Sequence, residues 1–324
     1  MSIESRHAHG IIFSTVRVFY CDHFVLPLPA DHSFPMAKYR LTRERIVADG
    51  IVRVEDVLEA EAASWSALAR VHTAQYIEAV RTGTLPRDVQ RRIGFPWTEA
   101  MVERARRSVG ATIQAAREAL GSPGGVAASL AGGTHHAFAD RGEGFCVFND
   151  VAVATRALMA ERRVSRVAVI DCDVHQGNGT AAIFRDDPSV FTFSMHGANN
   201  YPFRKEASDL DLVFEDGTGD DEYLDALERH VPGLLGSHRP DLVFYLAGAD
   251  PYEGDRWGRL GLSFEGLRRR DAIVLDTCRA AGVPVAVTMA GGYAPDVAAI
   301  VRIHAATIAE ASRVSQVRPV TEPA

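Results

Sequence analysis

Between Val167 and Thr180 the chain reads VAVIDCDVHQGNGT, an apolar run closing on Asp171, Asp173 and His175 at alternate positions. Residues two apart on extended backbone face the same way, so a buried strand here ends in two carboxylates and an imidazole. Unpaired carboxylates are costly to bury, and a cation is the simplest compensation. Asp173 and His175, joined by Asp250 at the end of LVFYLAGAD, offer one nitrogen and two carboxylates. That set suits Zn2+, neutralises the dication and leaves a coordination position open, as a catalytic site requires. The plainer reading assigns Asp173 and Asp250 to helix caps and turns, where aspartate is common.

The tandem His135–His136 follows Gly132 and Gly133. Neighbouring strand residues face opposite ways, so both imidazoles reach one site only if the chain bends there. Hydrolysis at a metal needs a base for the water proton and an acid for the leaving group, and histidine is the usual choice near neutral pH. Otherwise the two are incidental surface residues, or one core histidine with one exposed neighbour. Asp171 has two readings, a further metal ligand or the partner that fixes an imidazole's tautomer. Asn178 orients the other imidazole or simply serves the Gly177–Gly179 turn. Tyr293, after AGG, is the candidate donor to a tetrahedral oxyanion, with packing at a strand end as the alternative. In EGFCVFND, Gly142 and Gly144 mark a loop, which makes Phe145 rather than Phe148 the candidate pocket wall. Tyr201 and Phe203 of HGANNYPFRK are candidates for the opposite wall, and the sequence does not choose between them.

The elements that must position these groups are short β-branched or aromatic runs bounded by turn residues. They are IIFSTVRVFY, GGVAASLAG, VSRVAVID, SVFTFSMH, PDLVFYLAG and VPVAVTMAGG. Helical patterns lie between them: TEAMVERARRSVGATIQAAREALG (Thr98 as N-cap, Gly121 as stop), DVAVATRALMAERR, DDEYLDALERHVPGLL, SFEGLRRRDAIVLDTCRAAG and PDVAAIVRIHAATIAEA. Alternating strands and helices imply an α/β fold, a mostly parallel sheet covered on both faces. Ligands of such sheets bind outside the carboxyl ends of the strands. The endings AGGTHH, IDCDVH, FSMHG, AGAD and AGGY would then meet along one edge. We expect a single domain over 1–324, with flexible ends at about 1–10 and 314–324.

Of 324 residues, 47% are hydrophobic and 24% charged, and the formal net charge is −7. This acidity argues against a basic nucleic-acid-binding face. Cys21, Cys146, Cys172 and Cys278 lie far apart with no CxxC pair, so neither a disulfide framework nor a cysteine zinc site is expected. There is no signal-peptide core and no run of about 18 apolar residues. The expectation is a reduced, cytoplasmic protein with no membrane partner; the sequence does not set its oligomeric state.

Taken in order, GGTHHAFADRGEGFCVFND, IDCDVHQGNGT, AGADPYEGDRWGRLGLS and AGGYAPDV resemble the zinc-dependent histone deacetylase family of the arginase/deacetylase superfamily. That family includes bacterial acetoin-utilisation and acetylpolyamine deacetylases. HQGNGT, DDEYLDALE and EGDRWGRL bring the chain closest to the class IV branch and its bacterial relatives. The resemblance runs from FPMAKYRLTRERI to the last helix.

It implies a parallel sheet of about eight strands between helical layers. It makes Asp173, His175 and Asp250 the zinc ligands, with ferrous iron as the alternative ion. His135 and His136 become the catalytic pair, Asp171 the partner of His135, Asn178 that of His136, and Tyr293 the carbonyl-polarising residue. Gly144, Phe145 and Phe203 would line the acyl-lysine channel. A structural K+ would use Asp171, Asp173, His175 and Ser194, and a second one the segment around Phe184, Asp187 and Val190. The implied activity removes an acetyl or other acyl group from protein lysines, polyamines or another small amine. Many members carry an aspartate where this chain has Asn178, although the class IV branch shares the asparagine. A neutral partner leaves His136 less basic than an aspartate would. Two rivals stand beside this reading: a binuclear-manganese, arginase-like hydrolase and a non-catalytic acyl-lysine-binding module.

Overall fold

Alternation along each strand builds two separate cores. In VAVID, Val167 and Val169 face one side of the sheet while Ala168 and Ile170 face the other. Leu242, Phe244 and Leu246 likewise oppose Val243 and Tyr245. Both faces are apolar because helices cover both, as parallel sheets require.

The computed structural model describes residues 16–29 and 32–316. Its strands are β1 (Arg17–Tyr20), β2 (Val57–Glu59), β3 (Val126–Ser129), β4 (Val167–Asp171), β5 (Val190–Gly197), β6 (Leu210–Phe214), β7 (Leu242–Leu246) and β8 (Val285–Thr288). They form one sheet in the order β2-β1-β3-β8-β7-β4-β5-β6, and every described pairing is parallel. The helices are α1 (Ala37–Ala48), α2 (Trp65–Leu68), α3 (Ala74–Thr82), α4 (Arg87–Ile93), α5 (Glu99–Gly121), α6 (Asp150–Ala160), α7 (Asn178–Phe184), α8 (Asp220–His238), α9 (Phe264–Ala280) and α10 (Val297–Ser315). Helices α1, α8, α9 and α10 pack on one face, and α3, α5 and α6 on the other.

The six strands expected from sequence all form, and Thr98 caps α5 by accepting from the Met101 amide. Gly121 is the last residue of α5 rather than the residue beyond it. The edge strands β2 and β6 are additions. One has three residues, and the other, LDLVF, packs Leu210, Leu212 and Phe214 on the core while Val213 is exposed, so neither carries the apolar signature of a central strand. Helix α10 continues through Val314 and Ser315, both buried, where the sequence suggested the start of a frayed tail. The remainder of that tail, 317–324, and the expected flexible start at 1–10 lie outside the described residues.

One buried ion pair ties strand ends together. Arg270 of α9 is fully buried, and its guanidinium donates to the carbonyls of Cys172 at 3.2 Å and Gly248 at 2.6 Å. Asp271 compensates its charge while accepting from Tyr245 and Thr307. The segments following β4 and β7 are therefore held side by side from beneath. Among the described residues no helix is long and apolar enough to cross a membrane, and all four cysteines are buried and free.

Candidate metal centre and active site

Of the five strand endings expected to meet, those of β3, β4, β7 and β8 converge on one site, and the fifth, that of β5, lies beside β4, its Gly197 amide donating to the Val174 carbonyl. Beyond β4, the Asp171 side chain accepts from the Asp173 amide, and that of Asp173 from the His175 amide, so each carboxylate braces the next turn. Asp250, beyond β7, accepts from the Val174 amide, and the Gly291 amide beyond β8 donates to Asp173 at 2.7 Å. A Cβ at Gly291 would lie 1.9 Å from Asp250 Oδ2, so only glycine allows this approach.

Asp173, His175 and Asp250 are all buried and offer ligand atoms within 4.8 Å of one another, the only such group of three among the described residues. His175 Nδ1 lies 3.0 Å from Asp173 Oδ1 and 3.2 Å from Asp250 Oδ2. That second oxygen has no well-directed hydrogen bond although it is buried. Burial and the charge of Asp173 raise the Asp250 carboxyl to about 6. His175 is held up at about 10 because the two carboxylates outweigh its burial. One imidazole and two carboxylates, with an orphaned oxygen, fit a divalent ion of borderline softness.

The bend that turns both histidines inward is fastened by a residue the sequence reading did not single out. Asp150, buried in the first turn of α6, accepts from the Gly133 and Thr134 amides and from the Thr134 and Thr112 hydroxyls. Gly132 and Gly133 supply the left-handed backbone, with φ of 81° and 72°. The imidazoles then lie 4.1 Å apart between centroids, yet have different partners. His135 Nδ1 meets Asp171 Oδ2 at 2.7 Å, and His136 Nδ1 meets Asn178 Oδ1 at 2.7 Å. Burial disfavours protonation of both. For His135 the charges of Asp171 and Asp173 win and raise it to about 9. For His136 burial and its cationic neighbours lower it well below the usual histidine value. Adjacent groups pushed apart in this way can divide acid and base roles.

A cavity of about 700 Å³ opens over these groups, bordered by His136, His175, Gly144, Phe145, Tyr201, Trp257 and Tyr293 among others. Phe145 stacks against Trp257 with centroids 5.8 Å apart, and Phe148 is buried in the core instead. Of the two candidates for the facing wall, Tyr201 stands 4.9 Å from His136, centroid to centroid, while Phe203 sits at the rim, 87% exposed. The Tyr293 ring packs on Trp257 at 4.5 Å and lies 6.2 Å from His175, and its amide donates to Asp255. Its phenol is raised, first by burial and then by Asp250 and Asp173, so it remains a neutral donor. Beneath it, buried Lys38 of α1 donates to the carbonyls of Ala290 and Gly292.

Ser194 faces Asp171 across the β4–β5 register and contacts His196. The Asp187 carboxylate, in the segment suggested for a second K+, accepts from Arg156 and from the Ser189 amide. Sequence reasoning also passed over Lys38, Glu143 and Asp255. All three lie inside the stretches that carry the family resemblance, Glu143 two residues before Phe145; those positions were the available signal.

A family model described as Histone deacetylase domain matches residues 32–309. An uncharacterised protein of Picosynechococcus is 46% identical over 89% of this chain and 95% of its own length. Histone deacetylase 2 of Arabidopsis thaliana is 32% identical over 90% of this chain and 78% of its own. The crystal structure of a histone deacetylase homologue from Aquifex aeolicus superposes with a TM-score of 0.77 at 24% identity, covering 92% of this chain and 84% of that one.

Proposed function

This chain belongs to the histone deacetylase family, with its arginase/deacetylase fold, and from that premise we propose that it is a metal-dependent hydrolase of linear N-acyl amides. The substrate class is an acetyl- or acyl-lysine of a protein, or a small acylated amine such as a polyamine. One observation carries the proposal. His136 and His175 border one aromatic-walled cavity, and buried directly against them lie the other two donors, Asp173 and Asp250, and the differently partnered His135.

Zinc held by Asp173, His175 and Asp250 would supply Lewis acidity, polarising the amide carbonyl and making water easier to deprotonate. The chain's own groups do the rest. His136, neutral at physiological pH, accepts the water proton at Nε2, the ring nitrogen left free by Asn178, and returns it to the departing amine. His135, kept protonated by Asp171, contributes fixed positive charge close by. Tyr293 donates a hydrogen bond to the oxygen on which negative charge develops. Phe145 and Tyr201 exclude water from the narrow passage for the acyl-bearing chain. The single donor group among the described residues, with Asp171 committed to His135, favours one ion over an arginase-like pair. Retention of both histidines and Tyr293 around the donors favours catalysis over mere binding.

We also propose the K+ at Asp171, Asp173, His175 and Ser194, and a cytoplasmic location, for which four free buried cysteines speak. The decisive experiment screens lysine peptides and polyamines bearing different acyl groups, with zinc and with a chelator. Chelator-sensitive release of a carboxylic acid is the expected result; a zinc-loaded protein inert toward the whole panel would overturn the proposal.

A further inference from the structure

Asn178 sits where a carboxylate would fix the tautomer of His136 directly, and an amide cannot do so unaided. Its oxygen can accept from Nδ1–H, but turned over, its NH2 group can donate to an unprotonated Nδ1 instead. The first arrangement leaves Nε2 free to take a proton. The second puts the proton on Nε2 and disables the base.

The structure contains the group that decides between them. Glu143 is buried, although it lies on the loop leading to Phe145, and its Oε1 accepts from Asn178 Nδ2 at 2.8 Å. A carboxylate offers only acceptors, so it requires the NH2 of Asn178 to face it. The Asn178 oxygen is then committed to His136 Nδ1, 2.7 Å away. We propose that Glu143 is a positioning residue that locks His136 in its Nδ1–H tautomer through the Asn178 amide, supplying at one remove the acid that Asn178 lacks. The two imidazoles are thereby served differently: His135 by Asp171 in contact, His136 by a carboxylate beyond an amide.

The surroundings hold Glu143 to this task. The Glu143–Cys146 turn is closed by the Cys146 amide donating to the Glu143 carbonyl, and Arg141 Nε lies 3.7 Å from the second carboxylate oxygen. Tyr201, on the facing wall, is raised by burial and then by the same carboxylate. Glu143 therefore borders the cavity wall without lining the reacting centre.

The role of the lock in turnover rests on the hydrolase reading above, whereas the tautomer itself is measurable without substrate. Glu143→Gln keeps the shape but can accept from or donate to Asn178, so both amide orientations become available. In zinc-loaded protein labelled with 15N-histidine, the wild type should show His136 protonated at Nδ1. The Glu143→Gln variant should show a substantial Nε2–H population. Its kcat should fall by about tenfold, as for other outer partners of catalytic groups, with KM within about twofold. The double variant Glu143→Gln/Asn178→Asp should restore both, because aspartate accepts from Nδ1–H in either orientation. An unchanged His136 spectrum in Glu143→Gln overturns the inference, whatever happens to rate, and so does failure of Asn178→Asp to restore the Nδ1–H form. If the tautomer shifts as stated while no acyl amide is hydrolysed even by the wild type, the lock stands and the proposed function fails.

Discussion

Replacing Tyr293 by phenylalanine removes one oxygen and little else. The ring would keep its contacts with Trp257 at 4.5 Å and with Phe34 and Phe145 near 6 Å, and the backbone amide would keep its bond to Asp255. Among the described residues the phenol oxygen makes no hydrogen bond, so its loss leaves no partner stranded. Folding stability should therefore change by no more than about 1 kcal/mol, because the ring contacts remain and no partner loses a bond. The transition state loses more. A donor to a developing oxyanion typically contributes about 3 kcal/mol, which corresponds to roughly a hundredfold in kcat. Steady-state hydrolysis of an acetyl-lysine peptide by zinc-loaded protein, with thermal melts of both forms, separates the two effects. The expected pattern is a hundredfold fall in kcat, a similar KM and an unchanged Tm. Turnover within about threefold of wild type refutes the assignment of Tyr293, and a rate loss matched by a fall in Tm would mean that it acts through packing.

Metal titration of the purified chain should saturate at one ion per chain, with stability rising as the ion binds. Asp250→Ala should abolish both effects; two transition ions per chain, measured by elemental analysis, would revive the binuclear reading. Lys38 is lowered to about 8, chiefly by burial, whereas in the unfolded chain it holds its proton to about 10.4. Between those values the unfolded state binds more protons, so the Lys38 contribution makes stability rise with pH. The stability difference between wild type and Lys38→Met in denaturant unfolding should thus shift toward wild type from pH 8 to pH 10, and a flat difference would contradict this. Arg270→Met strands Asp271 and two carbonyls without their cation and should cost about 3–5 kcal/mol, read from urea unfolding; a loss below about 1 kcal/mol would show that the clamp is dispensable.

What the sequence made legible was whatever obeys a local rule. Apolar runs ending in Asp, His or Gly-Gly revealed the central strands and the edge where they meet, because strand direction and side-chain period leave few alternatives. The edge strands had no such rule to follow. LDLVF has one face in water, and Val213 is 57% exposed. Helix α1 escaped for a related reason: its buried stripe is Lys38, Thr42 and Ile46, spaced as a helix but two-thirds polar. Asp150 and Glu143 were hidden because their work lies across the fold. Each is an ordinary acidic residue until the loop of His135 and His136 or the start of α7 is brought against it. Tyr201 and Phe203 were indistinguishable in sequence because which of them lies deep depends on a loop path that no periodicity encodes.

The Arg270 clamp beneath β4 and β7 bears on what loss of the metal would do. Its hydrogen bonds fix the chain at Cys172 and Gly248, immediately before Asp173 and two residues before Asp250. Two of the three proposed donors therefore stand on backbone braced by a cation of the chain's own, a guanidinium that no chelator can remove. Under the proposed function, withdrawing the metal should then cost turnover while leaving the segments that carry Asp173 and Asp250 side by side.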